Sequence, residues 1–339
     1  MTDDHDGVRD LLAAWAFGAL PPDEERAVPG HLAECEACAA EAARLRETVR
    51  LLDGPPVNGG PAHTTSAHSA PGVVSFALRA RPAAPRVAAH AAPYAAAVAG
   101  LKALLPEAEG RWGTPVVHDW DVHATVAHLL AADESLAGRL GIAARVPASR
   151  VAADASWEDA WNRRTADVIA HEHGRTPEET VADWAAQAAA LLAAPEAHDP
   201  ELAALATMLM GVRLPVSDHF VVRAFEAWIH TADIGRALGL AVPPPPAEHL
   251  GQLVRLAVRI LGLALGPTAP PVLFAVDGGG QWVLGSEDEP VRAELALDPV
   301  DFCFLVGGRH TPDGVPRRAA GDQGAVRNAL ERAASLSWL

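Results

Sequence analysis

Cysteine and lysine are scarce in this chain of 339 residues, which has three cysteines and, in Lys102, a single lysine. So few cysteines exclude a disulfide-stapled scaffold of the kind found in small secreted domains. Two of the three nevertheless stand in a C-x-x-C arrangement, Cys35 and Cys38. Where thiols stay reduced, that spacing indicates metal or redox chemistry more often than a structural disulfide.

Positive charge and long apolar runs are also lacking. The net charge of −16 argues against direct nucleic-acid binding, which needs clustered cations at the phosphates, and favours a basic protein partner. No apolar run reaches the roughly 18 residues that a membrane span requires, and the acidic start Met1–Asp4 is not a secretory signal. We therefore expect a cytoplasmic protein that binds neither nucleic acid nor a membrane.

Hydrophobic residues make up 50% of the chain, enough for a buried core, and the length suggests two or three domains. The densest group of metal-binding residue types is the segment His31–Cys38, which contains His31, Cys35 and Cys38. If this segment is helical, His31 and Cys35 share a face and Cys38 follows within a turn, so one ion could reach all three. A structural zinc takes four ligands, and the fourth could be His5, with Asp3, Asp4 and Asp6 as alternatives.

The first 54 residues resemble the zinc-binding anti-sigma domain of bacterial regulators. The resemblance lies in His5, Leu11–Leu20, Asp23–Arg26 and the segment from His31 to Glu41. It implies a small helical bundle that wraps a sigma factor of the extracytoplasmic-function type, with zinc held by His5, His31, Cys35 and Cys38. Pro29 and Gly30 depart from the pattern, and we expect the second helix to be kinked or broken just before His31.

A linker is predicted over residues 55–87, where glycine, proline and serine interrupt any periodicity except at Val73–Leu78. Helical spacing resumes near Ala88. Asp121 is a candidate N-cap for a helix that carries His128. A later helix, Phe220–Leu238, places Glu226 and His230 four residues apart on one face, a spacing that an ordinary surface pair also satisfies.

Residues 88–339 resemble the mycothiol-dependent maleylpyruvate isomerase family. The resemblance is carried by Trp120–Val122, Val126–Leu129 and Glu226–Gly239. It implies a DinB-like four-helix bundle in which His128, Glu226 and His230 hold a second divalent metal, expected to be zinc, with open positions for water or for a thiol such as mycothiol. Asp133, Glu134 and Asp233 could orient these ligands or lie on solvated helix faces.

The last hundred residues predict one long helix, Glu248–Leu265, and then a small antiparallel sheet. Asp277–Gly280 reads as a hairpin turn rather than a phosphate loop, because no lysine-serine pair follows it. Cys303 lies among apolar neighbours on a helix over Pro299–Val306 and should be buried and inert. In the isomerase family this region is a sterol-carrier-like α+β domain, where Arg309 could meet an anionic substrate or lie on the surface.

The expected fold is mainly α: a small zinc-binding helical anti-sigma domain (1–54), a linker (55–87), a DinB-like four-helix bundle (88–242) and a small α+β domain (243–339). Two functions remain open. The favoured one is an anti-sigma factor that sequesters an extracytoplasmic-function sigma factor while its C-terminal part senses a thiol or another small molecule. The alternative is a mycothiol-dependent isomerase or transferase with a regulatory zinc knuckle.

Overall fold

The computed structural model describes residues 5–16, 20, 22–52, 86–152 and 154–336. The chain forms two compact units, residues 1–83 and residues 84–339. Most of the predicted linker, including Val73–Leu78, lies outside the described residues, as do Asp3 and Asp4. The predicted boundaries at 54, 87 and 242 stay predictions.

The first unit is helical and has a very small core. Its helices are α1 (His5–Ala16), α2 (Pro22–Glu25), α3 (Val28–Glu34) and α4 (Glu36–Leu52). Among its described residues the buried core consists of Leu12, Val28, Cys38 and Ala42. Domains this small usually need a metal or a disulfide in addition to apolar burial.

The break in the second helical segment lies earlier than the sequence predicted. The chain turns at Arg26 and Ala27, and α3 then starts at Val28 and runs through Pro29, Gly30 and His31. Proline is tolerated there because the first turn of a helix leaves its N–H groups without intrahelical acceptors. Helix α3 ends at Glu34, and the next residue, Cys35, has an extended backbone.

The second unit begins with a four-helix bundle, as predicted. Its members are α5 (Ala92–Leu104), α6 (Val122–Arg139), α8 (Pro177–Ala193) and α10 (Val216–Leu238). They pack in a closed ring, in the order α5, α10, α6, α8. Helix α7 (Trp157–Glu172) packs on α6, and a short helix α9 (Pro200–Ala203) packs on α10. Two small hairpins, β1–β2 (Pro115–Val117, Trp120–Asp121) and β3–β4 (Ala206–Leu209, Val212–Pro215), precede α6 and α10.

Local sequence signals define the bundle helices. The carboxylate of Asp121 caps α6 by accepting a hydrogen bond from the Ala124 amide at 2.8 Å, as predicted. Thr176 and Glu179 form a reciprocal capping box at the start of α8. Helix α10 starts four residues before the predicted Phe220 and ends at Gly239, whose positive φ of 74° closes the helix.

The C-terminal region is a small α+β arrangement, as predicted, but its sheet is mixed rather than antiparallel. Helix α11 (Ala247–Leu265) leads into β5 (Val272–Val276), β6 (Gln281–Leu284), β7 (Ala293–Leu297), α12 (Pro299–Val306), β8 (Arg318–Gly321) and α13 (Gln323–Ala334). The strand order is β6-β5-β7-β8, and β5 pairs with β7 in parallel. Strand periodicity reports which face is buried and carries no information on strand direction, so the sequence left the direction undetermined.

The bundle and the α+β region share one hydrophobic core within the second unit. Phe274 and Phe302 are buried there, and Trp228 of α10 stacks on Phe304 of α12 with ring centroids 5.6 Å apart. Cys303 is fully buried, as predicted, and burial raises the pKa of its thiol. In the part of the chain that the structure describes, no helix is both long and apolar enough to cross a membrane.

Candidate metal centres

The first centre lies where three helices of the first unit meet. His5 is the first residue of α1, His31 lies in the last turn of α3, Cys35 directly follows α3, and Cys38 lies in the first turn of α4. One nitrogen or sulfur atom from each residue lies within 4.8 Å of those of the other three. Among the alternatives to His5, Asp3 and Asp4 lie outside the described residues, as does the side chain of Asp6.

The distances in this first centre fit a tetrahedral zinc. Nδ1 of His5 is 3.6 Å from Sγ of Cys35 and 3.7 Å from Sγ of Cys38. Ligands bound to one zinc at about 2.3 Å for sulfur and about 2.0–2.1 Å for nitrogen lie about 3.6 Å apart at the tetrahedral angle. The Nε2 atom of His31 is buried and has no hydrogen-bond partner among the described residues, as expected of an atom reserved for a metal. The chemistry and the geometry of the four donors both fit a structural zinc.

The second centre lies inside the four-helix bundle. His128 projects from α6, and Glu226 and His230 project from one face of α10. Their donor atoms all lie within 4.8 Å of one another, and Nε2 of His128 is 2.9 Å from Oε1 of Glu226. All three side chains are buried. Two nitrogens and one carboxylate oxygen fit a divalent metal such as zinc, and three protein ligands leave a coordination position open.

Arg223 holds the carboxylate of Glu226 from the side away from His128. Its guanidinium is buried, lies 2.6 Å from Oε2 of Glu226 and donates a 2.7 Å hydrogen bond to the carbonyl of Ala132 on α6. Burial raises the pKa of Glu226, but Arg223 and His128 outweigh that effect and hold it at about 2. The carboxylate of Glu226 is therefore ionised. Its Oε2 faces Arg223, and its Oε1 is on the side of His128, where a metal would bind.

Asp233 orients the second histidine of the centre. Its Oδ2 lies 3.4 Å from Nδ1 of His230, and Asp233 is itself ion-paired with Arg309, whose Nε donates to Oδ2 at 3.1 Å. A hydrogen bond from Nδ1 to a carboxylate leaves Nε2 of the imidazole free to bind a metal. Burial lowers the pKa of His230 to about 4, so the ring is neutral near pH 7, as a metal ligand must be.

The sequence left open whether Asp133, Glu134 and Asp233 orient metal ligands or lie on solvated helix faces. Asp233 is buried at the second centre, whereas Asp133 and Glu134 contact residues outside it. Asp133 is buried and accepts a 2.6 Å hydrogen bond from the hydroxyl of Tyr94. Glu134 pairs with Arg164 on α7 at 2.5 Å. Arg309 is mostly buried against Asp233 rather than exposed.

The sequence reasoning missed the aromatic wall of the second centre. Trp120, at the end of the β1–β2 hairpin, stacks on His128 with ring centroids 4.5 Å apart and lies 6.2 Å from the ring of His230. Trp161 of α7 lies edge-on to His128, with ring centroids 5.8 Å apart. The nearest signal in the sequence was the position of Trp120 directly before the helix cap Asp121. Indole rings around a metal exclude water and present an apolar surface to a bound ligand.

A metal bound at the second centre would supply a positive charge that favours the thiolate form of a coordinated thiol. The chain's own contribution is that Arg223 helps to keep Glu226 ionised, that burial keeps His230 neutral, and that Asp233 lies against the ring of His230. The two tryptophans shield that position. At the first centre, four donors would fill the coordination sphere of a tetrahedral zinc, which fits a structural ion.

Comparisons with known proteins agree with both resemblances. Residues 91–235 match the family model described as "Mycothiol maleylpyruvate isomerase N-terminal domain", and residues 6–39 match the one described as "Putative zinc-finger". These matches confirm the similarity of the chain to a zinc-binding domain followed by an isomerase-like domain. No curated protein is similar enough to the chain to count as a match.

Two solved structures are similar to about two thirds of the chain. The crystal structure of the mycothiol-dependent maleylpyruvate isomerase has 14% sequence identity and a TM-score of 0.46, over 67% of this chain and 91% of that chain. The crystal structure of a histidine-to-alanine mutant of that isomerase has 16% sequence identity and a TM-score of 0.47, again over 67% of this chain and 91% of that chain. Similarity at this level supports no statement about activity.

Proposed function

We propose that this protein is a cytoplasmic zinc-binding anti-sigma factor that sequesters an extracytoplasmic-function sigma factor. Its isomerase-like region is proposed to sense a thiol or another small molecule at a second, zinc-type metal centre. The observation that carries the proposal is the convergence of His5, His31, Cys35 and Cys38 at zinc-binding distances, in a unit that matches a zinc-finger family. The proposal includes both sets of metal ligands. The first is His5, His31, Cys35 and Cys38, and the second is His128, Glu226 and His230.

The architecture of the first unit supports a role in protein binding rather than in catalysis. Its four donors complete a tetrahedron, so a zinc there would have no position for a substrate. Its described core has only four buried residues, so the metal would organise the helices and leave most of their surface available to a partner. The acidic character of the whole chain favours a basic protein partner over a nucleic acid.

The second centre supports a sensor that binds a small molecule through a metal. Its open coordination position suits a thiol, and mycothiol is the thiol that the family description names. Trp120 and Trp161 flank His128 at this centre. The ligands come from two helices that belong to the core of the second unit. Coordination of a thiol there would therefore change a site built into the bundle rather than a surface loop.

The test is a pull-down with the full tagged chain from a lysate of a bacterium that makes mycothiol. We expect the wild-type chain to recover a sigma factor, identified by mass spectrometry, and the purified pair to show inhibited transcription. Cys35→Ser/Cys38→Ser should lose both zinc and the sigma factor. Glu34→Gln, a change at an exposed neighbour of the ligands, should retain both. A zinc-loaded, folded wild-type chain that recovers no sigma factor would refute the proposal.

A second candidate is a mycothiol-dependent isomerase or transferase, which the open coordination position of the second centre favours. A pure protein-binding regulator does not need a buried His128, Glu226 and His230 set with the supporting Arg223 and Asp233. Turnover of maleylpyruvate with mycothiol by the full chain, lost in His128→Ala/His230→Ala, would establish this candidate. Thiol binding without turnover would leave the sensor as the function of this centre.

A further inference from the structure

A cavity of about 380 Å³ lies in the second unit, and its lining includes none of the three candidate metal ligands of that unit. Small residues of α5, among them Ala96, Ala97 and Gly100, form one wall, and Ala224 and Trp228 of α10 form another. The segment Ala241–Pro246 and the start of α11 complete the lining. Ligand sites commonly have volumes of about 300–1,000 Å³, so this cavity is large enough for a bicyclic molecule.

The lining of this cavity is apolar and uncharged. No aspartate, glutamate, lysine or arginine occurs among the described residues that line it, so a charged ligand would lose its hydration without a compensating partner. Trp228 and the run Pro243–Pro246 present flat, rigid apolar surfaces, which suit an aromatic ring. The chemistry therefore selects a neutral aromatic molecule.

One polar side chain in the lining lacks a partner. His249, in the first turn of α11, has a buried Nδ1 atom with no hydrogen-bond partner among the described residues. A buried ring nitrogen left without a partner is destabilising, and a ligand hydroxyl can act as its donor or its acceptor. Thr231, the only hydroxyl-bearing residue among the described residues of the lining, already donates to the carbonyl of Ala227 at 2.6 Å.

The cavity and the second metal centre lie on opposite faces of α10. At 100° per residue, Ala224, Trp228 and Thr231 project to one side of the helix, and Glu226 and His230 project to the other. A ligand in the cavity would therefore not touch the metal ligands. This separates the cavity from the proposed thiol site.

We propose that this cavity binds a neutral aromatic molecule with a single hydroxyl group, the rings lying between the alanine-lined wall of α5 and Trp228 and the hydroxyl meeting His249. The inference does not depend on sigma-factor binding or on catalysis, since binding to the cavity is measured directly. The fit rests on volume, absence of charge and the one unpaired nitrogen. Together these define the ligand class.

The test is equilibrium dialysis of the zinc-loaded full chain against 1-naphthol, a neutral bicyclic alcohol. We expect saturable binding of about one equivalent with a Kd below about 0.3 mM, as ligand efficiencies for molecules of this size imply. Gly100→Leu fills the cavity mouth, where an added Cβ meets no atom within 4 Å, so the variant should fold and bind at least about tenfold more weakly. Gly138→Leu is the matched control, a helical glycine of α6 with equally open space and no part in the cavity.

A pair of isosteric variants tests the hydroxyl contact. His249→Asn keeps a hydrogen-bonding group near Nδ1 and should bind within about twofold of the wild type, whereas His249→Leu should bind about fivefold more weakly. Equal affinity of the Asn and Leu variants would overturn the assigned contact. The proposal fails if the wild type shows no saturable binding, if Gly100→Leu binds as well as Gly138→Leu, or if His128→Ala/His230→Ala abolishes binding.

Discussion

Single residues around the second centre gain their roles from burial. Asp233 lies three residues after His230, a position compatible with a solvated helix face, yet it is 3% exposed and contacts both His230 and Arg309. Arg223 is equally hidden and pairs with Glu226. Ionised side chains are buried at such cost that they are normally paired, and here the pairs orient the proposed metal ligands.

Asp233→Asn should weaken metal binding at the second centre. The amide cannot hold the imidazole and the guanidinium as the carboxylate does, so we expect the zinc affinity of this centre to fall about 10- to 100-fold. Competition with a chromophoric chelator measures the change. Glu134→Gln is the matched control, because it removes the carboxylate partner of Arg164 on the same bundle without touching the centre. Equal losses in both variants would contradict a specific orienting role.

Asp133 should make stability depend on pH. Burial raises the pKa of this carboxyl from 3.8 to about 7, although Arg223 and the hydroxyl of Tyr94 oppose the shift. Between pH 3.8 and about pH 7 the folded chain holds a proton on Asp133 that the unfolded chain releases. The resulting contribution to the free energy of unfolding is complete below pH 3.8 and is lost as the pH rises to about 7.

Asp133→Asn removes this pH dependence. The free energy of unfolding of the variant, relative to that of the wild type, should therefore be more favourable at about pH 7.5 than at about pH 5, by about 2 kcal/mol. Urea unfolding at the two pH values measures the difference. The control is Asp119→Asn, a change at an exposed position. Its free energy of unfolding should differ from that of the wild type by the same amount at both pH values. A constant offset for Asp133→Asn would show that the carboxyl is ionised throughout.

At the scale of the element, α6 and α10 carry the second centre, and their local signals were readable in advance. The cap at Asp121 and the left-handed Gly239 define where these helices begin and end. A helix fixes the spacing of Glu226 and His230, but it does not determine which other helix faces them. That partner is α6, brought opposite by the packing of the bundle.

Asp121→Ala should destabilise the second unit by about 1 kcal/mol, the usual cost of removing an N-cap side chain. Urea unfolding followed by tryptophan fluorescence reports on this unit, because eight of the nine tryptophans lie after residue 83. Asp119→Ala, two residues earlier and exposed, should have little effect. A midpoint shared by both alanine variants would mean that the cap contributes nothing.

At the scale of the whole molecule, the described residues form two separate hydrophobic cores and two groups of candidate metal ligands. The core of the second unit is extensive, whereas the described core of the first has four buried residues. A bound metal contributes folding free energy where burial is insufficient. The first unit should therefore depend on zinc, and the second should not.

Metal analysis of the full chain should find two zinc ions per molecule. We expect Cys35→Ser/Cys38→Ser and His128→Ala/His230→Ala each to lose one, because the two clusters share no residue. Limited proteolysis should then cut within residues 5–52 of the cysteine variant only, since its helices lose their zinc. Protection of that region in the zinc-free variant would show that the small core suffices.

The sequence by itself determined the features that depend on neighbours a few residues apart. Helix caps, the hairpin turn at Asp277–Gly280, the His31, Cys35 and Cys38 spacing and the burial of Cys303 all follow from local pattern and side-chain type. Local patterns of the same kind also predicted a mainly α fold with a small α+β region. Hydrogen bonds at helix ends and the periodicity of apolar residues act over one or two turns, so they are visible in a single chain.

Only the tertiary structure decided what distant segments do to one another. It brought His5 to the cysteines, set β5 parallel to β7, stacked Trp120 on His128 and joined Asp233 to Arg309. It also left a cavity whose walls come from α5, α10 and α11. Such contacts depend on chain topology and on which faces are buried together, and no pattern within one segment encodes either of these.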